Sequence, residues 1–67
     1  MEWKIVGFSG IEYVTVRGAN VIIWHAPLVG SESVITMPYA SHWEAEEAAH
    51  GIIANRTEEG LTVTRVV

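Results

Sequence analysis

The stretch from Ser41 to Asn55, SHWEAEEAAHGIIAN, is the one segment with a clear helical signature. Ser41 is followed three residues later by Glu44, the spacing of a capping box, in which each side chain accepts a hydrogen bond from a free backbone N–H. At 100° per residue, one side of this helix collects small and aliphatic residues, as an amphipathic helix requires: Ala45, Ala48, Ala49, Ile52 and Ile53. The rest of the chain consists of short β-prone segments that need this helix as a cover.

Five such segments are separated by turn residues, and Pro38 ends the strand before the helix because it has no N–H to donate. The predicted strands cover residues 3–6, 11–17, 21–26, 33–37 and 61–67. The sequence therefore predicts one α+β domain over residues 1–67, a mostly antiparallel sheet in the order β-β-β-β-α-β that is covered on one face by a single helix. Counting chain reversals, we expect the last strand to lie antiparallel beside the first, at the sheet edge.

The strand from Val21 to Ala26 is apolar on both faces, with Trp24 on one of them. Such a strand is typical of the middle of a sheet that is covered on both sides, so Trp24 is expected in the core. One helix with an alanine-rich stripe covers one face only. Either the sheet curls into a half-barrel or a second chain packs on the bare face, and the sequence favours the second chain.

The amino-acid composition also favours association with a second chain. The chain has 67 residues, no cysteine and 49% hydrophobic residues. A domain of this size buries only about 60% of its unfolded surface, and no disulfide or thiolate-bound zinc can stabilise it. Association with other chains, as a homodimer or a larger oligomer, is the simplest way to bury the remaining apolar area.

The charge pattern excludes several classes of partner. The net charge is −4, and the four cationic residues are scattered rather than clustered, which argues against nucleic acid. No apolar run approaches the roughly 20 residues of a membrane span. The N-terminal residues lack the pattern of a signal peptide, so the expected location is cytoplasmic.

On the predicted helix, His42, Glu46 and His50 follow one another at intervals of four residues and therefore lie along one stripe, which makes them candidate metal ligands. Two histidines and a carboxylate are ligands that divalent metals accept. Three ligands over two full turns nevertheless span about 12 Å, too far for one ion to contact all three. These residues are therefore weak metal candidates, and no cofactor is expected.

Evidence for catalysis is absent from the sequence. His25, at the end of the third strand, is the residue that would act as a general base in a pocket. No nucleophile motif accompanies it, and neither a phosphate-binding glycine loop nor a dinucleotide fingerprint occurs. The sequence thus favours a binding protein over an enzyme.

Trp43 is the unusual residue of the helix, because it lies on the side away from the apolar stripe. Trp is among the residues most enriched at binding hot spots. Glu47 and His50 lie on the same side as a polar rim, and Gly51 would let a partner approach. These four residues are the predicted interaction site; the alternative is that Trp43 folds back over the Pro38–Tyr39 segment as a local lid.

Three classes of function follow. The leading one is a small non-enzymatic protein-interaction module, of the inhibitor, adaptor or antitoxin-like kind, that acts through an apolar and acidic surface on another protein or on itself. The second is a homo-oligomeric subunit that binds a small ligand or a metal between chains. The third is a small enzyme with an active site at a subunit interface that uses His25 or His50.

Overall fold

A five-stranded antiparallel sheet and one helix make up the protein, as the computed structural model shows for every residue from Met1 to Val67. The predicted α+β class and the element order are confirmed. The elements are β1 (Glu2–Gly7), β2 (Gly10–Arg17), β3 (Asn20–Pro27), β4 (Ser33–Pro38), α1 (His42–Glu58) and β5 (Thr62–Arg65). The strand order across the sheet is β4-β3-β2-β1-β5, so β4 and β5 form the two edges and the sheet does not close into a barrel.

The first four strands form a meander of tight antiparallel hairpins. Gly18 begins the two-residue turn between β2 and β3 with φ of 60°, which is the glycine-first geometry that matches the twist of a hairpin. Gly10 closes the turn between β1 and β2 with φ of 137°, and a Cβ there would lie 2.2 Å from the carbonyl oxygen of Ala26. Glycine is therefore required at position 10 for both its backbone conformation and its close approach to β3.

The last strand closes the sheet beside the first. β5 pairs antiparallel with β1, as predicted from the count of reversals. Beyond the strand, the backbone N–H of Val66 donates to the carbonyl of Glu2 at 2.9 Å, and the N–H of Glu2 donates to the carbonyl of Val67 at 3.2 Å. The two ends of the chain thus lie side by side.

The core lies between α1 and one face of the sheet. Trp3 is directly opposite Val14 in the strand pairing, and Val14 is directly opposite Ile23, so these three side chains lie on the same face of the sheet. The fully buried side chains all belong to this layer: Trp3, Ile5, Val14, Val16, Val21, Ala45 and Ala49. The small size of the two alanines lets the helix pack closely on the strands, and the predicted apolar side of the helix is confirmed.

Helix α1 begins as predicted but ends later. The Ser41 side chain accepts a hydrogen bond from the N–H of Glu44 at 3.1 Å, while the Glu44 carboxylate accepts from the N–H of Ala40, one residue before the cap. The helix then continues to Glu58, so the predicted end at Asn55 was wrong. It continues because Arg56, in the last turn, is held against the sheet through a hydrogen bond to Glu12. No helix in the protein is long and apolar enough to span a membrane.

The expectation that Trp24 lies in the core was wrong. β2 occupies the middle of the sheet, and β3 lies second from the edge. Trp24 points to the face opposite the helix, where it contacts the Tyr13 ring at a centroid distance of 5.4 Å and is partly exposed. The helix covers one face of β3 only, which leaves the second apolar face of that strand bare.

Candidate functional site

The outward side of α1 carries the predicted hot-spot tryptophan. Trp43 is 66% exposed and does not fold over the preceding segment as a buried lid. Glu47 and Gly51 are also exposed, and a Cβ at Gly51 would meet no atom within 4 Å. The glycine therefore leaves open space on the helix surface rather than serving a contact within the chain.

His50 differs from the other predicted residues of this side. Its ring lies 5.3 Å from the Trp3 ring in an edge-to-face arrangement, at an interplanar angle of 73°. On the same tryptophan, the Arg65 guanidinium lies 5.8 Å from the ring centroid. His50 and Arg65 thus both pack against the Trp3 ring, and His50 is directed toward the sheet while it remains exposed.

The three metal candidates are not brought together. His42 Nε2 lies 2.7 Å from a carboxylate oxygen of Glu46, and His42 Nδ1 lies 2.6 Å from the backbone carbonyl oxygen of Gly18. Both ring nitrogens therefore face an acceptor within the chain, and His50 lies instead against Trp3. No group of three His, Cys, Asp or Glu side chains with metal-binding geometry occurs in the protein.

This arrangement makes His42 a pH-sensitive link between the helix and the β2–β3 turn. The pKa of His42 is raised above 6.5, first by the hydrogen bond to the Gly18 carbonyl and then by the hydrogen bond to Glu46. Only the imidazolium donates to both acceptors at once. Because the folded state binds this proton more tightly than the unfolded chain, the added stability is complete below pH 6.5 and disappears as the pH rises through the folded-state pKa.

We expect thermal melts to reveal this link as a difference between wild type and His42→Gln. The wild-type midpoint should exceed that of the variant at about pH 5.5, and the gap should narrow by about pH 8.5. His25 and His50 are present in both proteins, so the difference between the two melts reports on His42. If the difference in melting midpoint stays constant across this pH range, the charge of His42 does not contribute to stability.

A polar cleft of about 330 Å³ opens at the other end of the helix. Its acidic, basic and imidazole side chains come from three elements: Glu12 on β2, His25 at the end of β3 and Arg56 near the end of α1, joined by Glu59 just beyond. Ser9, the two glycines of the β1–β2 turn, Ile5 and Leu61 complete the wall.

An ion pair forms part of the wall of this cleft. Arg56 Nε donates to one carboxylate oxygen of Glu12 at 2.9 Å, and Arg56 Nη2 donates to the other at 3.5 Å. Arg56 Nη1 also lies 3.5 Å from a Glu59 oxygen. The hydrogen bond to Glu12 is the main cause of a raised Arg56 pKa, and the guanidinium stays charged at any physiological pH.

The ion pair limits the chemistry of the cleft. Glu12 is directly opposite His25 in the β2–β3 register, and a carboxylate so placed could orient a catalytic imidazole. Its two oxygens are instead engaged by Arg56. The arrangement therefore resembles a structural bridge that fixes the last helical turn to the sheet more than a general base with its orienting acid.

Sequence reasoning missed this bridge because its partners are 44 residues apart. One local signal existed. Glu12 lies on the same face of β2 as Val14 and Val16, because residues two positions apart in a strand share a face. A carboxylate on a face that is otherwise buried requires a cationic partner. Only four cationic residues were available, and Arg56 is the one on the helix.

No element of the chain covers the sheet face opposite the helix, and we call this face the open face. At its centre, Tyr13 and Trp24 are directly opposite each other in neighbouring strands. Polar and charged residues adjoin this pair: Lys4 is directly opposite Tyr13, and Glu2, Thr15 and Thr36 lie in the next row of the sheet. The apolar side chains of the open face are Val6, Ile11, Tyr13, Ile22, Trp24, Ala26 and Val34.

The fold and these surfaces define a small α+β domain with an open sheet face, and comparison with known proteins adds one structural relative. The chain is similar to part of a Bacteroides fragilis protein whose crystal structure was solved by a structural genomics consortium, with a TM-score of 0.80 and 26% sequence identity. The match covers 97% of this chain and 20% of that one, so the chain spans about a fifth of its relative. No protein-family model and no curated protein matches the sequence.

Proposed function

We propose that the protein is a small non-enzymatic interaction module that associates with a second copy of itself through the open face. The observation that supports the proposal is the pair Tyr13 and Trp24 at the centre of an uncovered apolar sheet. Tyrosine and tryptophan are the residues most often found at binding hot spots, and two sheets packed face to face bury such rings between them. An inhibitor, adaptor or antitoxin-like role in the cytoplasm would use the same surface.

A second copy is a suitable occupant because the open face is complementary to itself. A two-fold interface brings the same patch from each subunit into contact, so an aromatic centre meets an aromatic centre. Glu2 and Lys4 both lie on the open face of β1, and Lys4 is directly opposite Tyr13, so opposite charges from the two copies would pair beside the aromatic centre. Such charges set the orientation more than the affinity.

The size of the open face predicts weak association. Five strands spaced about 4.8 Å apart and about six residues long cover roughly 500 Å². Stable interfaces bury about 800 Å² on each partner. A dimer held by one open face alone should therefore dissociate in the micromolar range or above.

Sedimentation equilibrium of wild type and two tryptophan variants tests the proposal. We expect the wild-type mass to exceed the 7.4 kDa of one chain at about 100 μM, and Trp24→Thr to weaken association at least about tenfold. Threonine retains the preference for a strand at this position. The matched control, Trp43→Ala, removes an exposed tryptophan from the helix and should leave association unchanged.

Two results would overturn the proposal. One is a wild-type protein that stays at the mass of a single chain across the whole concentration range. The other is normal association of Trp24→Thr together with weakened association of Trp43→Ala. That second pattern would assign binding to the outward side of the helix, with Glu47 and Gly51 beside Trp43.

The second candidate is a subunit that binds a small polar ligand, and the observation in its favour is the cleft between Glu12, His25 and Arg56. A volume of about 330 Å³ is at the lower end of the range for small-molecule sites. Titration with Zn²⁺ or Ni²⁺, followed by NMR shifts of the three histidines, tests its metal-binding version. Shifts confined to His25 would favour this candidate.

A further inference from the structure

The outer edge of β4 carries backbone groups that no other strand satisfies. The N–H of Tyr39 donates to the carbonyl of Ala19 at 2.8 Å, and this bond fixes the alternation along the β3–β4 ladder. Counting back from it in steps of two, Met37, Ile35 and Ser33 exchange hydrogen bonds with β3. The N–H and C=O groups of the residues between them, Val34 and Thr36, therefore point away from the sheet.

This edge lacks the features that usually prevent strand-to-strand association. Natural edge strands are kept short, charged, bulged or covered by another element. The strand Ser33–Pro38 contains six residues and no charge, and Pro38 interrupts only its last position. Val34 is 62% exposed on the open face, and Ile35 is 56% exposed on the helix side. The opposite edge, β5, has four residues and ends in Arg65.

We propose that β4 pairs antiparallel with β4 of a second copy, so that two chains share one ten-stranded sheet. This inference rests on the proposed function, because it describes how the same module assembles. The expected register places Ile35 opposite Ile35 of the second copy, on the two-fold axis. Val34 and Thr36 then exchange hydrogen bonds with Thr36 and Val34 of the second copy, which satisfies all four outward amide groups of each chain.

The side chains that this register brings opposite one another are compatible with strand pairing. Ile35 meets its own copy on the helix side, and Val34 meets Thr36 on the open face, so every directly opposed pair at the centre is β-branched. The absence of charge on β4 favours a second copy over a charged partner strand. An isologous contact of this kind also closes on itself, because each chain has only one such edge.

Edge pairing changes what the open face can do. The two-fold axis of an antiparallel pair is perpendicular to the sheet, so both helices lie on one side and both open faces on the other. The joined open faces cover roughly 1,000 Å², which exceeds the area of about 800 Å² that a stable interface buries on each partner. Two edge-paired dimers can then pack open face to open face, and the expected assembly is a tetramer.

Substitutions at the edge separate this contact from the one on the open face. Thr36→Pro removes an N–H that points away from β3, so it deletes the donor to the second copy without breaking the β3–β4 ladder. Thr36→Val is the matched control, because it keeps the N–H. Ile35→Lys provides a second test, since it places two like charges on the axis and changes an exposed side chain.

The readouts are sedimentation velocity and amide exchange measured by NMR. We expect wild type to sediment as four chains of 7.4 kDa, Thr36→Val to do the same, and Thr36→Pro or Ile35→Lys to fall to two chains. Amides of residues 34 and 36 should exchange at least about tenfold more slowly in wild type than in Ile35→Lys. Circular dichroism verifies that each variant is folded. If Thr36→Pro does not fold, Ile35→Lys alone tests the proposal.

The variants also tell the two proposals apart. Trp24→Thr should leave an edge-paired dimer with residues 34 and 36 still protected, and Trp24→Thr combined with Ile35→Lys should be a monomer. If Ile35→Lys retains the wild-type mass, or the two amides exchange freely at high concentration, edge pairing is wrong. If Trp24→Thr retains the wild-type mass while Ile35→Lys lowers it, edge pairing holds and association through the open face is wrong. Aggregates that grow without limit would overturn the closed assembly.

Discussion

Trp3→Ala is expected to leave the domain largely unfolded at 25 °C. Trp3 is 5% exposed on the helix side of β1, and His50 and Arg65 pack against its ring. Truncation of a buried tryptophan costs about 3–5 kcal/mol, and a small domain without disulfides has little more stability than that. Urea unfolding followed by circular dichroism, at a concentration where the chains do not associate, measures the loss.

Trp43→Ala is the matched control for this experiment. The same substitution on the exposed side of the helix should change the free energy of unfolding by no more than about 0.5 kcal/mol. Equal losses in both variants would place Trp43 in the folded core. A cooperative transition of Trp3→Ala at the wild-type midpoint would contradict the packing of β1 described above.

Gly10→Ala should be nearly as destabilising, although it adds a single methyl group. The new Cβ would lie 2.2 Å from the carbonyl oxygen of Ala26 and 2.8 Å from the Cα of Pro27, and both contacts are with backbone atoms. The φ of 137° is also a conformation that L residues rarely adopt. Strain and overpacking together should lower the free energy of unfolding by about 3 kcal/mol or more.

A second glycine supplies the comparison. Gly51 is helical, and a Cβ there meets nothing within 4 Å, so Gly51→Ala should raise stability by up to about 1 kcal/mol. The two variants therefore move the urea midpoint in opposite directions. A Gly10→Ala protein as stable as wild type would mean that the β1–β2 turn can shift away from β3 at little cost.

Local patterns in the sequence were sufficient to predict most of the fold. The capping box at Ser41, the alternation along β2 and β3, and the glycine turns each depend on residues within a few positions of one another. These features are confirmed, and so is the edge position of β5 beside β1. The helix end was not predictable in this way, because a bond between Arg56 and Glu12 joins distant parts of the chain.

The candidate surfaces were harder to predict from the sequence, because they too depend on contacts between distant parts of the chain or with another chain. Trp24 has the pattern of a residue that is covered on both sides, and sequence alone does not tell whether the cover comes from the same chain or from another. The side of the helix on which Trp43 lies was predictable from its position, but sequence alone left open whether Trp43 is exposed or folds back over the Pro38–Tyr39 segment. The contact of His50 with Trp3 was not, because it depends on how the helix lies across the sheet.

Because the two chain ends are adjacent, the order of the strands along the chain could be changed without changing the sheet. Glu2 and Val67 are hydrogen-bonded, so a short linker could join the ends and the chain could be reopened at Gly30, in the exposed β3–β4 loop. Such a circular permutant keeps every neighbouring pair of strands, but it makes the β1–β5 contact local in sequence and the β3–β4 contact distant, so the order in which strands pair during folding should change more than the stability. By the same geometry, the intact domain can be inserted into a loop of a host protein, because the chain enters and leaves about one strand spacing apart.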